Sequence, residues 1–187
     1  MPCNVRLWLV LGLWILASTG VCRAESTAPT IHEVQAAFLF NFTKFITWPV
    51  DSSQRSEKSL TVGVLGDDSF AAVLEELLRD KIVNGKTLIV KRLTRVQDAA
   101  NIHILFVGAS EVNHLPQIMK ALEQTKVLTV SDIAQFAEQG GMVAFTLEDQ
   151  KVRFNVNVDA VERTGLKMGS QLLKLAKIVG GQSRSGH

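Results

Sequence analysis

The sequence predicts a single three-layer α/β domain with a mostly parallel central sheet, helices on both faces, and a C-terminal β-hairpin followed by a helix. Three observations predict it. Short apolar, β-branched runs recur at 60–65, 87–93, 102–107 and 127–130. Segments of helical period lie between them. Strands that alternate with helices return in parallel and need cover on both faces. Two later strand-like runs, 142–147 and 152–158, flank the polar Glu148-Asp149-Gln150 and read as a hairpin.

The N-terminus sets the compartment. Arg6 precedes an uncharged apolar run from Leu7 to Ala17, and Cys22-Arg23-Ala24 places small residues around a cleavage position. The run has the length of a signal-peptide core and is short for a bilayer span. Residues 1–24 are therefore expected to be a cleavable secretory signal, with Glu25 as the mature start of an exported protein. The alternatives are an uncleaved anchor and lipidation at Cys22. Against the second, Thr19-Gly20-Val21 is a poor lipobox.

Removing this leader takes Arg6, Arg23, Cys3 and Cys22 with it. The remaining chain of about 163 residues has 18 basic and 18 acidic residues and no cysteine. It offers no bulk charge for nucleic acid and no disulfide, and must rely on an ordinary core, for which its length suffices.

The elements follow in order. Residues 25–30 are a polar, flexible start. From Ile31, apolar residues at three- and four-residue steps predict a helix with an aromatic core face, Phe38, Phe42 and Phe45 among them. Trp48-Pro49 ends it. Residues 51–59 read as a loop and 60–65 as a buried strand. Gly66-Asp67-Asp68 turns into a helix from Ser69 to about Arg79, with Asp68 or Ser69 as N-cap. Asn84-Gly85 marks a turn before strand 87–93. Strand 102–107 leads to a helix from about Leu115 to Gln124. Strand 127–130 leads to a helix beginning at Ser131-Asp132 and ending near Glu138. After the hairpin come a short helix, 159–164, closed by Gly165, and a last helix from about Gly169 to Val179. Residues 180–187 form a disordered polar tail.

No catalytic constellation emerges. Gly63 to Asp68 lacks the spacing of a dinucleotide fingerprint and the lysine of a P-loop. Asp67 and Asp68 are adjacent and poorly arranged as an acid/base pair. His32, His103, His114 and His187 show no metal-ligand spacing, and His103 reads as a hydrogen-bonded core residue. Ser110 follows a strand but has no evident base. No catalytic residue, metal or cofactor is assigned. The strand from Val152 to Val158 is more informative. Phe154, Val156 and Val158 share one face, and Arg153, Asn155 and Asn157 share the other. The polar face suits a small polar ligand, or is simply solvated. Leu166 and Met168, beside Arg163 and Lys167, read as core or as interface.

The chain resembles the YfiR family of periplasmic proteins. Residues 34–45 closing on Trp48-Pro49, the Gly63-Val64-Leu65-Gly66-Asp67 turn, and Val127 to Asp132 with Phe136 and Gly140-Gly141 carry the resemblance. So do Val152 to Asn157, Arg163, Gly165-Leu166-Lys167, Leu172-Leu173 and Leu175-Ala176. It extends over 31–179. It implies a non-enzymatic regulator that binds and represses the periplasmic sensing domain of an inner-membrane diguanylate cyclase, and so controls cyclic-di-GMP and biofilm formation. It further implies a homodimer, and an outer-membrane lipoprotein that relieves repression. By matching position, Val156, Val158, Leu166 and Met168 are implied to bind the partner, and Asn155 and Arg163 a small ligand. A disulfide known in the family has no counterpart here, since 139–145 contains no cysteine. Related domains beside sensor kinases leave a kinase as alternative partner. The other readings are a small-molecule sensor feeding another receptor, and an envelope hydrolase using Ser110, Asp67 or Asp68.

Overall fold

A capping box opens the first helix. Thr30 accepts from the Glu33 N–H through its hydroxyl, while the Glu33 carboxylate accepts from the Thr30 N–H at 2.6 Å. That exchange holds the Glu33 carboxyl below its ordinary range. The computed structural model describes residues 28–49 and 58–180. The expected signal segment, residues 25–27, most of the 51–59 loop and 181–187 lie outside the described residues. No described helix is long and apolar enough to cross a membrane.

Helix α1 (Ile31–Phe45) buries Ala36, Leu39 and Phe42 completely, whereas the predicted Phe38 and Phe45 are half-buried against the core, so the buried face is turned slightly from the one the period predicts. Phe42 stacks on Phe145 at 6.2 Å and meets Phe154 edge-on at 5.4 Å. The predicted aromatic face is thus core. Strand β1 (Ile46–Thr47) follows directly.

Strand β2 (Ser59–Leu65) leads into α2 (Asp68–Leu78). Its N-cap is Asp67, one residue before the expected pair, and accepts from the Phe70 N–H at 2.8 Å. Strands β3 (Ile82–Val83) and β4 (Lys86–Leu93) form a hairpin at Asn84-Gly85. A 3₁₀ turn, 96–101, leads to β5 (Ile104–Val107). A second, 109–114, leads to α3 (Leu115–Leu122) and then β6 (Leu128–Ser131). Strands β7 (Val143–Glu148) and β8 (Lys151–Asn157) form the expected hairpin. Asp149 and Gln150 both take the left-handed backbone that a two-residue primed turn requires. Helix α4 (Val158–Arg163), β9 (Lys167–Met168), α5 (Ser170–Leu173) and β10 (Lys177–Val179) complete the chain.

The main sheet has eight strands in the order β10-β8-β7-β6-β5-β2-β4-β3, and β1 pairs with β9 apart from it. Only β7–β8 and β3–β4 are antiparallel within the main sheet. One face packs on α1 and α2 through Val62, Ile104, Phe106, Val130, Val143 and Val156. The other packs on α3 and the 132–141 segment through Leu105, Val107 and Ala144. The predicted three-layer α/β class is the one observed.

Two expected helices are not formed as such. Residues 134–140 are turns. Gln135 has φ +58°, which breaks a right-handed helix, and the Gly141 N–H donates to the Phe136 carbonyl. Ile133, Phe136 and Ala137 still bury one side, so the apolar spacing was real but its backbone is not helical. The predicted helix at 169–179 divides into the four-residue α5 and strand β10. Pairing with the edge of β8 overrides the helical period there.

Candidate functional site

The four apolar residues singled out in the C-terminal quarter line one cavity. It has a volume of about 420 Å³ and is walled by β8, α4, β9 and α5. Val156 and Leu166 form its floor and are fully buried. Val158 and Met168 stand half-buried at its side. Val161 and Leu173 complete the apolar wall, with Glu162 and Lys167 on the rim. Val161 lies three residues from Val158 on α4, so helical spacing could have found it. Leu173 was hidden by the assignment of one long final helix.

The local sequence builds this wall. Asn157 ends β8 and caps α4, its Oδ1 accepting from the Ala160 N–H at 2.9 Å. Its Nδ2 donates to the Ala137 carbonyl at 2.8 Å and ties the cavity's base to the opposite layer. Helix α4 stops at Gly165, where φ is +75°, and the chain turns back into β9. There Met168 pairs with Ile46 and Lys167 with Thr47. The Gly169 N–H donates to the Phe45 carbonyl at 2.8 Å, so the rim hangs from the end of α1. Trp48 then donates from its indole to the His103 carbonyl at 3.3 Å. His103 is buried as expected, its Nδ1 accepting from the Thr61 N–H.

The two polar candidates are not brought into one cavity. Arg163 is exposed and lines a second cavity, of about 670 Å³, with Lys120, Glu123, Thr129, Gln139 and Met142. Asn155 points to the sheet face opposite Val156 and does not line that cavity. The expectation of a solvated strand face fails for both asparagines. Asn155 and Asn157 are each 8 % exposed, and the Asn155 Oδ1 is buried without a partner.

Ser110, Asp67 and Asp68 lie at the carboxyl ends of β2 and β5. Ser110 donates to the Gly66 carbonyl at 2.6 Å rather than capping a helix. Asp67 accepts from Phe70 and from the Ser69 hydroxyl, and its other oxygen stands 3.7 Å from His32 Nε2. Asp68 is exposed, 3.7 Å from Arg92. Nearby, burial holds the Asp132 carboxyl above its ordinary range, helped by the charge of Asp67 and opposed by local hydrogen bonds and His32. Each of the three residues thus has a local structural partner. Among the described residues no three metal-binding side chains are grouped to hold an ion.

The fold and this site define a three-layer α/β domain with an open apolar groove at the C-terminal end of its sheet. More particularly, the chain belongs to the YfiR/HmsC-like family, whose model matches residues 32–177. Among solved structures, a conserved domain protein from Vibrio cholerae O1 biovar El Tor is similar over 80 % of this chain and 60 % of its own. The TM-score is 0.52 at 13 % identity, a likeness of fold. A Streptococcus pneumoniae ABC domain, solved in complex with L-Trp, aligns over 64 % of this chain and 55 % of its own, with TM-score 0.47 and 12 % identity. The chain thus spans less than two-thirds of the length of either structure.

Proposed function

We propose that this protein binds the periplasmic sensing domain of an inner-membrane diguanylate cyclase and holds it inactive, lowering cyclic-di-GMP and restraining biofilm formation. The observation that carries the reading is the groove itself. Val156, Val158, Leu166 and Met168 gather around one cavity of about 420 Å³ that opens to the surface. An exposed apolar concavity on a regulator is a natural seat for a partner side chain. Repression then rests on differential affinity, since a protein shifts a two-state partner only as far as its affinities for the two states differ. Release by an outer-membrane lipoprotein competing for the groove, and homodimerisation, belong to the same reading. A sensor kinase is the alternative partner.

The test is deletion followed by complementation. Loss of the protein raises cyclic-di-GMP and biofilm mass, and the wild-type chain restores both. Met168→Glu places a charge at the half-buried wall and fails to restore them while accumulating normally. Removing an apolar anchor of this kind costs about 2 kcal/mol of binding or more, roughly thirtyfold in affinity. Unchanged cyclic-di-GMP on deletion, across envelope stresses, would sink the cyclase reading.

A second reading has its own observation. Arg163 and Lys120 have no ion-pair partner among the described residues, and both line the cavity of about 670 Å³. That arrangement suits a small anionic ligand. Thermal-shift screening against amino acids and nucleotides tests it. Stabilisation that disappears in Arg163→Ala supports a sensor, and no stabilisation by any ligand rejects one.

A further inference from the structure

We infer that the outer edge of β10 is a docking rail, and that the partner adds to it an extended, acidic strand whose apolar side chains lie over Leu175 and Ile178. The inference rests on the partner-binding reading of the neighbouring groove.

Strand β10 is the last strand of the main sheet, and among the described residues nothing pairs with its outer side. It therefore presents backbone donors and acceptors that another strand can use. In the parallel register Ile178 lies beside Val156, the floor of the groove, so both side chains share one sheet face. Ile178 is 48 % exposed and Leu175 is 65 % exposed. Ile178 thus stands one strand outward from the groove's Val156, and Leu175 follows the groove's Leu173 by two residues in the chain.

Charge decides the occupant. Residues 151–180 hold Lys151, Arg153, Arg163, Lys167, Lys174 and Lys177 against Asp159 and Glu162, a net of +4. The other described residues hold ten bases and thirteen acids, a net of −3. Lys174 and Lys177 are exposed beside the edge and form no ion pair among the described residues. Edge lysines discourage pairing with a like-charged strand and leave an acidic one welcome. A second copy docked edge to edge would set these lysines against each other. The far edge is no better for a copy, because β3 and its turn are flanked by Lys81 and Lys86.

The experiment places a photo-crosslinking p-benzoylphenylalanine at position 178 of the full chain, expressed from its own locus. Control chains carry it at position 168 in the groove wall and at position 82 on the far edge. Adducts formed in intact cells are mapped by mass spectrometry. Position 178 is expected to capture an acidic segment of the membrane partner with alternating apolar residues. The double variant Lys174→Glu/Lys177→Glu lowers that yield about tenfold. A synthetic copy of the captured segment slows amide exchange at 177–179. Adducts at 168 with none at 178 overturn the rail while leaving the groove reading intact. Adducts at neither position overturn both. Capture of a second copy alone, or of a segment that does not slow exchange at 177–179, rejects the acidic strand. Binding to phosphatidylglycerol vesicles that the double variant abolishes, without a protein adduct at 178, reassigns the edge to a membrane surface and rejects it too.

Discussion

Asn157 shows how much one side chain can decide. Its carbonyl oxygen caps α4 and its amide nitrogen satisfies Ala137, so it fixes the groove's base and ties two layers together. Asn157→Ala removes a cap and strands a buried carbonyl, a loss of about 2–3 kcal/mol in urea denaturation. The alternation of Val152 to Val158 made the two faces legible, but not the burial of the polar one. That burial comes from the 132–141 segment, whose turns no local period announces. Asp132 belongs to the same segment. Burial raises its carboxyl, so the folded state holds this proton more tightly than the unfolded chain. Its contribution to stability is therefore greatest at acid pH and is lost as pH rises through the raised folded value. Asp132→Asn is expected to melt higher than wild type at pH 7 and to match it near pH 4. Equal melting temperatures at both pH values would remove the buried charge from the account.

At the scale of elements, strands were more legible than helices. The apolar runs that became β2, β5 and β6 are buried on both faces and read directly as continuous hydrophobic stretches. The Asn84-Gly85 turn announced a hairpin because its backbone needs residues tolerant of positive φ. Residues 131–138 misled because Ile133, Phe136 and Ala137 keep helical spacing while meeting the core through turns. Gly141 is the key to that geometry, since a Cβ there would fall on the Phe136 ring. Gly141→Ala should destabilise by about 1–3 kcal/mol, read as a lower urea midpoint at unchanged slope. The groove was half legible. Its four residues were found through family resemblance, whereas their convergence depends on the β1–β9 pairing of distant segments, which no local pattern encodes.

Across the whole molecule the sheet is continuous from β3 to β10, and α1 packs on its C-terminal half through Phe145 and Phe154. The chain should therefore unfold as one unit. Trp48 is the only tryptophan among the described residues, placed between β1 and His103. Its fluorescence and far-UV circular dichroism should give superimposable urea transitions. Separate midpoints would show that the C-terminal unit melts alone. The pairing of Ile46 with Met168 has one more consequence, for the order of synthesis. The first helix is made well before the phenylalanines it covers and the strand that clasps its end. Until they arrive, α1 exposes an aromatic face with nothing to bury it. The growing chain cannot close its core, and it stays open for handling by chaperones until β7, β8 and β9 have been made.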